Sequence, residues 1–195
     1  MPIDMPPQLH ERIACSIAAS IHYDVPANIV LAVAEKEAGK PGQWVRNKNG
    51  THDVGTMQFN TGYLKGLTEK YGITADDVAA EGCYAYDLAA WRLHGHLIND
   101  KGDIWTRAAN YHSRTPYYNA NYRADLIIRA NKWANWLDEL LSSDSAKINA
   151  TLSALATPLQ KAIKATVPTN TKPTIRAELN ADYIPRRIIA KADNQ

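Results

Sequence analysis

The residues of this 195-residue chain best suited to chemistry are two carboxylates near one helix end, Glu35 and Glu37, and a compact string downstream, Gly55-Thr56-Met57-Gln58-Phe59-Asn60. Val30, Val33 and Ala34 suit the buried face of a helix, and Gly39 can end that helix just after Glu37. Two positions apart on a helix, Glu35 and Glu37 diverge by about 200°, so only one faces a given site. Glu37 shares the apolar side of Val30, Val33 and Ala34, which predicts a semi-buried Glu37 and a solvated Glu35. A carboxyl beside apolar groups has its pKa raised by desolvation, the condition for a glycosidase acid that holds its proton near neutral pH. Asp53 is a second carboxylate that can stabilise an oxocarbenium-like centre, although an aspartate flanking a hairpin is more often structural. His94 and His96 face away from each other on a helix and have no supporting Cys or carboxylate spacing, so no metal is expected.

The elements that position these groups are mainly helical. The chain is predicted to begin with a proline-punctuated lead-in, followed by a helix over about Leu9 to Tyr23 and a second from Pro26 to Ala38. Lys40 to Val54 carries Pro41, Gly42 and Asn49-Gly50 and reads as a loop holding at most a short hairpin, which folds back toward Glu37. A helix through Leu64 and Leu67 follows, then a short turn of helix capped by Thr74. Tyr86, Ala90, Leu93 and Leu97 mark another helix that stops before Gly102, and Asp103 caps the next. Thr115-Pro116 opens a long amphipathic helix through Tyr122, Leu126, Arg129, Trp133, Leu137 and Leu140, with Trp133 and Trp136 mainly packing. Beyond it the pattern gives one more helix over 142–165 and an extended or disordered tail over 166–195.

The motifs, in this order, resemble the lytic transglycosylases that cut peptidoglycan, most closely the specialised type of conjugation, type IV secretion and type IV pilus systems. The match rests on Glu37-Ala38-Gly39, on the Gly55-x-Met57-Gln58 string, and on the box Ala109-Asn110-Tyr111-His112 followed by Ser113-Arg114-Thr115, and it spans roughly residues 10 to 135. The family usually has a serine or glycine where Ala38 stands. The resemblance implies a goose-type, SLT-like lysozyme fold over residues 8–141, with 142–165 and 166–195 as an appendage. It implies Glu37 as the catalytic residue and Asp53 as an auxiliary, with Gly55, Met57, Gln58, Asn60, Asn110, Tyr111 and His112 binding substrate. Tyr111 is expected to face the glutamate with its hydroxyl. No cofactor is implied.

Cys15 and Cys83 are read from the residues alone as either a bridge or two buried thiols, and the resemblance favours a disulfide because such relatives carry cysteines at both places. A net charge of +2, with 45% hydrophobic and 22% charged residues, describes an ordinary globular chain with no pull toward nucleic acid, which argues against a small helical DNA binder. No apolar run suits a membrane span, and Ile13 to Ile21 reads as a core helix rather than a secretory signal. The partners implied are peptidoglycan strands and, through the appendage, components of a secretion, conjugation or pilus machine, at a periplasmic or cell-envelope location. A goose-type lysozyme hydrolase and a catalytically silent wall-binding scaffold are the alternatives.

Overall fold

A computed structural model describes residues 7–142 of the protein. The chain runs α1 (Pro7–Tyr23), α2 (Ala27–Glu37), β1 (Trp44–Arg46), β2 (His52–Val54), β3 (Phe59–Asn60), α3 (Thr61–Tyr71), α4 (Ala75–Ala79), α5 (Tyr84–Asn99), α6 (Ile104–Ala109) and α7 (Pro116–Ser142). This is the mainly α, lysozyme-like class that the periodicity and motifs suggested. Apart from Ser142 at the end of α7, the helix expected over 142–165 and the tail over 166–195 lie outside the described residues.

The organising element is α2. Every residue from Ile29 to Ala34 is buried, so this helix has no solvent face along its middle and serves as the hub against which α1, α5 and α7 pack. A helix apolar on all sides belongs in the centre of a core. Around it lie Ile13, Tyr23, Leu88, Leu93 and Leu126, all essentially without exposure. Cys15 of α1 and Cys83, at the head of α5, are disulfide-bonded with their Cα atoms 5.0 Å apart. Asp87 of α5 adds a polar tie to the same seam, accepting from the Tyr23 hydroxyl at 2.8 Å and meeting His22 Nδ1 at 3.0 Å.

Caps set the helix boundaries. Thr74 and Asp77 form a reciprocal capping box on α4, and Asp103 accepts from the backbone N–H groups of Trp105 and Thr106 at the start of α6. Among the described residues, no helix is long and apolar enough to cross a membrane.

The region expected to hold at most a short hairpin is a three-stranded antiparallel sheet in the order β1-β2-β3. Trp44 pairs with Val54 and Arg46 with His52, while Asp53 pairs with Asn60 and Val54 with Phe59. The third strand escapes a sequence reading because it is only two residues long and sits inside a string that reads as a turn.

The end of α2 also differs from expectation. Ala38, not Gly39, takes the left-handed conformation that closes the helix, at φ 46° and ψ 26°. Gly39 is needed for a different reason. A Cβ on it would stand 2.1 Å from the Gly55 carbonyl oxygen and 2.5 Å from Gln58 Nε2. Its N–H donates to the Thr56 carbonyl at 3.2 Å, so the helix end is stitched directly onto the turn between β2 and β3.

Candidate active site

Glu37 is the last residue of α2, where the helix end, the sheet turn and α7 converge. Its Oε1 accepts a hydrogen bond from the Tyr122 hydroxyl at 2.6 Å. Burial raises the Glu37 pKa above the usual carboxylate range; the Tyr122 hydrogen bond and the nearby Lys36 and Arg92 charges pull it back, and the Asp53 charge adds a small push upward. The semi-buried carboxyl expected of position 37 is therefore present, with a proton held to higher pH than an exposed glutamate would hold it.

The tyrosine that holds this carboxyl is not the one expected. Tyr111 is buried, and its hydroxyl donates to the Met57 carbonyl at 3.0 Å. It thus ties the box after α6 to the turn between β2 and β3. Tyr122, from the first third of α7, supplies the hydroxyl to Glu37 instead. The Tyr122 ring lies flat against His112, with centroids 4.8 Å apart and planes inclined by 6°, and Lys36 Nζ stands 4.8 Å from its centroid. Lys36 is itself anchored to Asp125 at 2.5 Å, one turn further along α7. Burial and the negative Glu37 drive the Tyr122 pKa well above its ordinary value, so this group remains a hydrogen-bond donor at any pH that the protein meets.

His112 is exposed over Tyr122, and partial burial together with the Lys36 charge lowers its pKa. Asn110 has both ends of its amide occupied, donating to Asp100 at 2.8 Å and accepting from Asn119 at 2.7 Å. Asp100 is the hub of this box. Burial pushes its carboxyl up, but hydrogen bonds from Arg114, His96 and Asn110 outweigh that and hold it at about 2. His96 is thus committed to Asp100 and Arg114, at 2.7 and 3.2 Å.

The Gly55 to Asn60 string differs most from its expected use. Gly55, at φ 70°, has no room for a ligand where its side chain would be, because a Cβ there would meet the Val78 carbonyl oxygen at 2.1 Å. Met57, expected to offer an apolar surface, is fully buried. Gln58 adopts φ 48° and donates back to the Gly55 carbonyl at 2.8 Å. Asn60 caps α3 by accepting from Gly62 N–H, and its Nδ2 donates to Asp53 Oδ1 and Thr51 Oγ1, each at 2.9 Å. The string therefore builds a rigid turn against the Glu37 helix end, and Asp53 is held in the sheet by Asn60.

Glu35 corrects a further expectation. It is not solvated: Oε1 accepts from Arg129 at 3.0 Å and Lys132 at 3.2 Å, and Oε2 from the Trp133 indole N–H at 2.6 Å. The divergence of Glu35 from Glu37 around the helix is real, but α7 covers that side too.

Sequence reasoning read Tyr122 only as an apolar position of the long helix. A usable signal was present: a tyrosine in a buried stripe must find a partner for its hydroxyl, and the helix-end carboxylate was the conspicuous acceptor in need of a donor.

No protein-family model matches the sequence. Protein IpgF of Shigella flexneri is 30% identical over 105 residues, which cover 53% of this chain and 68% of IpgF. Invasion protein IagB of Salmonella typhi is 26% identical over 138 residues, covering 68% of this chain and 82% of IagB. The matches cover more than half of this chain and about two thirds or more of each relative, so the chain belongs to the family of protein IpgF and invasion protein IagB, and it carries the three motifs that resemble the lytic transglycosylases.

Proposed function

We propose that the protein is a peptidoglycan lytic transglycosylase that cleaves the β-1,4 bond between N-acetylmuramic acid and N-acetylglucosamine. The observation that carries this reading is the Glu37 carboxyl, desolvated at a helix end and fixed by the Tyr122 hydroxyl. Glu37 in its protonated form donates to the leaving glycosidic oxygen while the substrate's own 2-acetamido group assists at the anomeric carbon. The glutamate then accepts the proton of the muramoyl 6-hydroxyl as that oxygen closes the 1,6-anhydro ring. One residue thus acts first as acid and then as base. The backbone of the Gly55 to Asn60 turn and the exposed face of His112 edge the place where the sugars flanking the bond would lie.

IagB is named an invasion protein, and kinship with it supports a role in opening the wall locally for an envelope-spanning secretion machine. A periplasmic or cell-envelope location follows from that role. Nothing in the kinship favours a conjugation or pilus machine over another secretion system.

The product decides between this reading and a lysozyme-type hydrolysis, for which Asp53 would be the second carboxylate. A tethered 6-hydroxyl has an effective molarity on the order of 10⁵ M or more, enough to outcompete water at the anomeric carbon. Mass spectrometry of muropeptides released from purified wall is expected to show 1,6-anhydro ends, roughly 18 Da lighter than reducing ends because no water is added. Reducing ends carrying labelled solvent oxygen would assign the hydrolytic reaction instead, and absence of any release would leave a wall-binding scaffold.

A further inference from the structure

Arg92, on α5, stands apart from the arginines around it. Arg114 pairs with Asp100, Arg129 with Asp125 and Glu35, Arg123 donates to Thr106, and Arg107 donates to the Leu97 carbonyl. Arg92 makes no ion pair and no hydrogen bond with any described residue. Its guanidinium carbon lies 4.2 Å from the Tyr63 ring centroid and 4.7 Å from that of Tyr111. Both rings are themselves braced by Phe59, at 6.1 and 6.2 Å between centroids. Contact of a guanidinium with aromatic ring faces uses its charge and leaves its N–H donors without a hydrogen-bond acceptor. A half-buried cation with five donors and no acceptor among the described residues is a fork open to a ligand.

Its location narrows what that is. Arg92 lies over Tyr111, whose hydroxyl donates to the Met57 carbonyl in the turn that is joined to the Glu37 helix end, so the cation borders the site of the proposed reacting carboxyl. It makes no hydrogen bond or ion pair with Glu37, whose hydrogen bond comes from Tyr122. A guanidinium bonded to that carboxyl would stabilise its ionised form and work against an acid. The two tyrosine rings hold the cation beside the glutamate's site instead of on the glutamate. Amino-sugar rings are neutral. The acidic groups of a wall glycan sit on the lactyl ether of muramic acid, as the free lactyl carboxylate of a stem-less strand or as the carboxylates of a peptide stem.

We infer that Arg92 is a specificity-determining contact that binds a carboxylate borne by the muramoyl lactyl substituent, an assignment that rests on the wall-cleaving reading above. It makes the protein selective for acidic, muramic-acid-containing strands over neutral glycans of N-acetylglucosamine.

Binding is measured by calorimetry in a Glu37→Gln background, which prevents turnover, with three probes: N-acetylglucosamine oligomers, stem-less glycan strands and stem-bearing strands. Adding Arg92→Gln is expected to weaken one acidic strand by at least about tenfold while changing the neutral oligomer by no more than about twofold. Loss confined to stem-less strands identifies the lactyl carboxylate, and loss confined to stem-bearing strands identifies the peptide. Arg92→Lys, which keeps the charge and the long stem but lacks the planar fork, is expected to recover only part of the loss. Should Arg92→Gln prove unfolded by thermal melt, Arg92→Lys carries the same comparison alone. Equal weakening of all three probes, or none, overturns the inference and leaves the wall-cleaving reading intact. If no probe binds even with Arg92 present, the wall-cleaving reading falls and this inference with it.

Discussion

Replacing Tyr122 with Phe removes a single oxygen and tests the geometry of the site directly. The 2.6 Å bond to Glu37 Oε1 is lost, while the phenyl ring still stacks on His112 and lies under Lys36. A hydrogen bond to a charged group is worth about 1.5–3 kcal/mol. At 1.36 kcal/mol per decade, a transition state that uses the oriented carboxyl would slow by roughly tenfold to a hundredfold. The pH dependence has a defined sign. Tyr122 stabilises the ionised form of Glu37, so its removal raises an already raised pKa, and the basic limb of the kcat profile moves to higher pH. The assay is release of soluble muropeptides from purified wall across a pH series, with Tyr111→Phe as comparator. That variant leaves the buried Met57 carbonyl without its donor and is expected to cost stability, about 1–3 kcal/mol by denaturant titration, with the pH limb unmoved. Full activity and an unmoved limb in Tyr122→Phe, with both altered in Tyr111→Phe, would refute the assignment of the two hydroxyls.

Glu37→Gln is expected to abolish cleavage and to stabilise the fold selectively at high pH. The folded-state pKa of Glu37 lies above its unfolded value, so its contribution is complete below the unfolded pKa and lost as pH rises through the folded one. Thermal melts should show the variant above the parent at about pH 8 and level with it at about pH 4; a lower melt at the higher pH contradicts a desolvated carboxylate. Glu35→Gln is expected to leave cleavage within a few-fold but to lose about 1–2 kcal/mol in chemical denaturation, since charged Arg129 and Lys132 would face a neutral amide. Loss of activity with unchanged stability would reverse the roles given to the two glutamates. Breaking Cys15–Cys83 removes a constraint across 68 residues, worth up to about 4 kcal/mol on the loop-closure account. Two titratable thiols in denatured protein made in an oxidising compartment would show that the bridge does not form.

What the sequence disclosed and what it withheld follow from the range of the interactions. Helical spacing and caps are local, so α5, the Thr74 box and the Asp103 cap were legible in order. The helix terminator was misassigned because left-handed alanine costs about 1–2 kcal/mol and glycine does not, which makes Gly39 the natural local choice. The fold spends that glycine on close approach to Gly55 and Gln58, a contact across the sheet turn that no local rule contains. Periodicity correctly separated Glu35 from Glu37 by angle, but an angle does not say whether water or another helix lies there, and α7 covers both. Tyr111 and Tyr122 posed the same problem at 54 and 85 residues from their acceptors. Each needed a partner, and only the docking of α7 on α2 decides which hydroxyl reaches the carboxyl.

That docking also explains how one glutamate could serve in both halves of the proposed reaction. Burial alone would make Glu37 a firm proton holder and therefore a reluctant acid in the first step. The groups around it act in the opposite sense: Tyr122 of α7 by hydrogen bond, Lys36 of α2 and Arg92 of α5 by charge. Lys36 is kept from closing on Glu37 by Asp125, and Arg92 by the rings of Tyr63 and Tyr111, so neither forms the ion pair that would empty the carboxyl of its proton for good. The site thus opposes a large desolvation with several smaller attractions, each anchored elsewhere. A carboxyl so balanced can give up a proton to one oxygen and take one back from the next without either state being trapped.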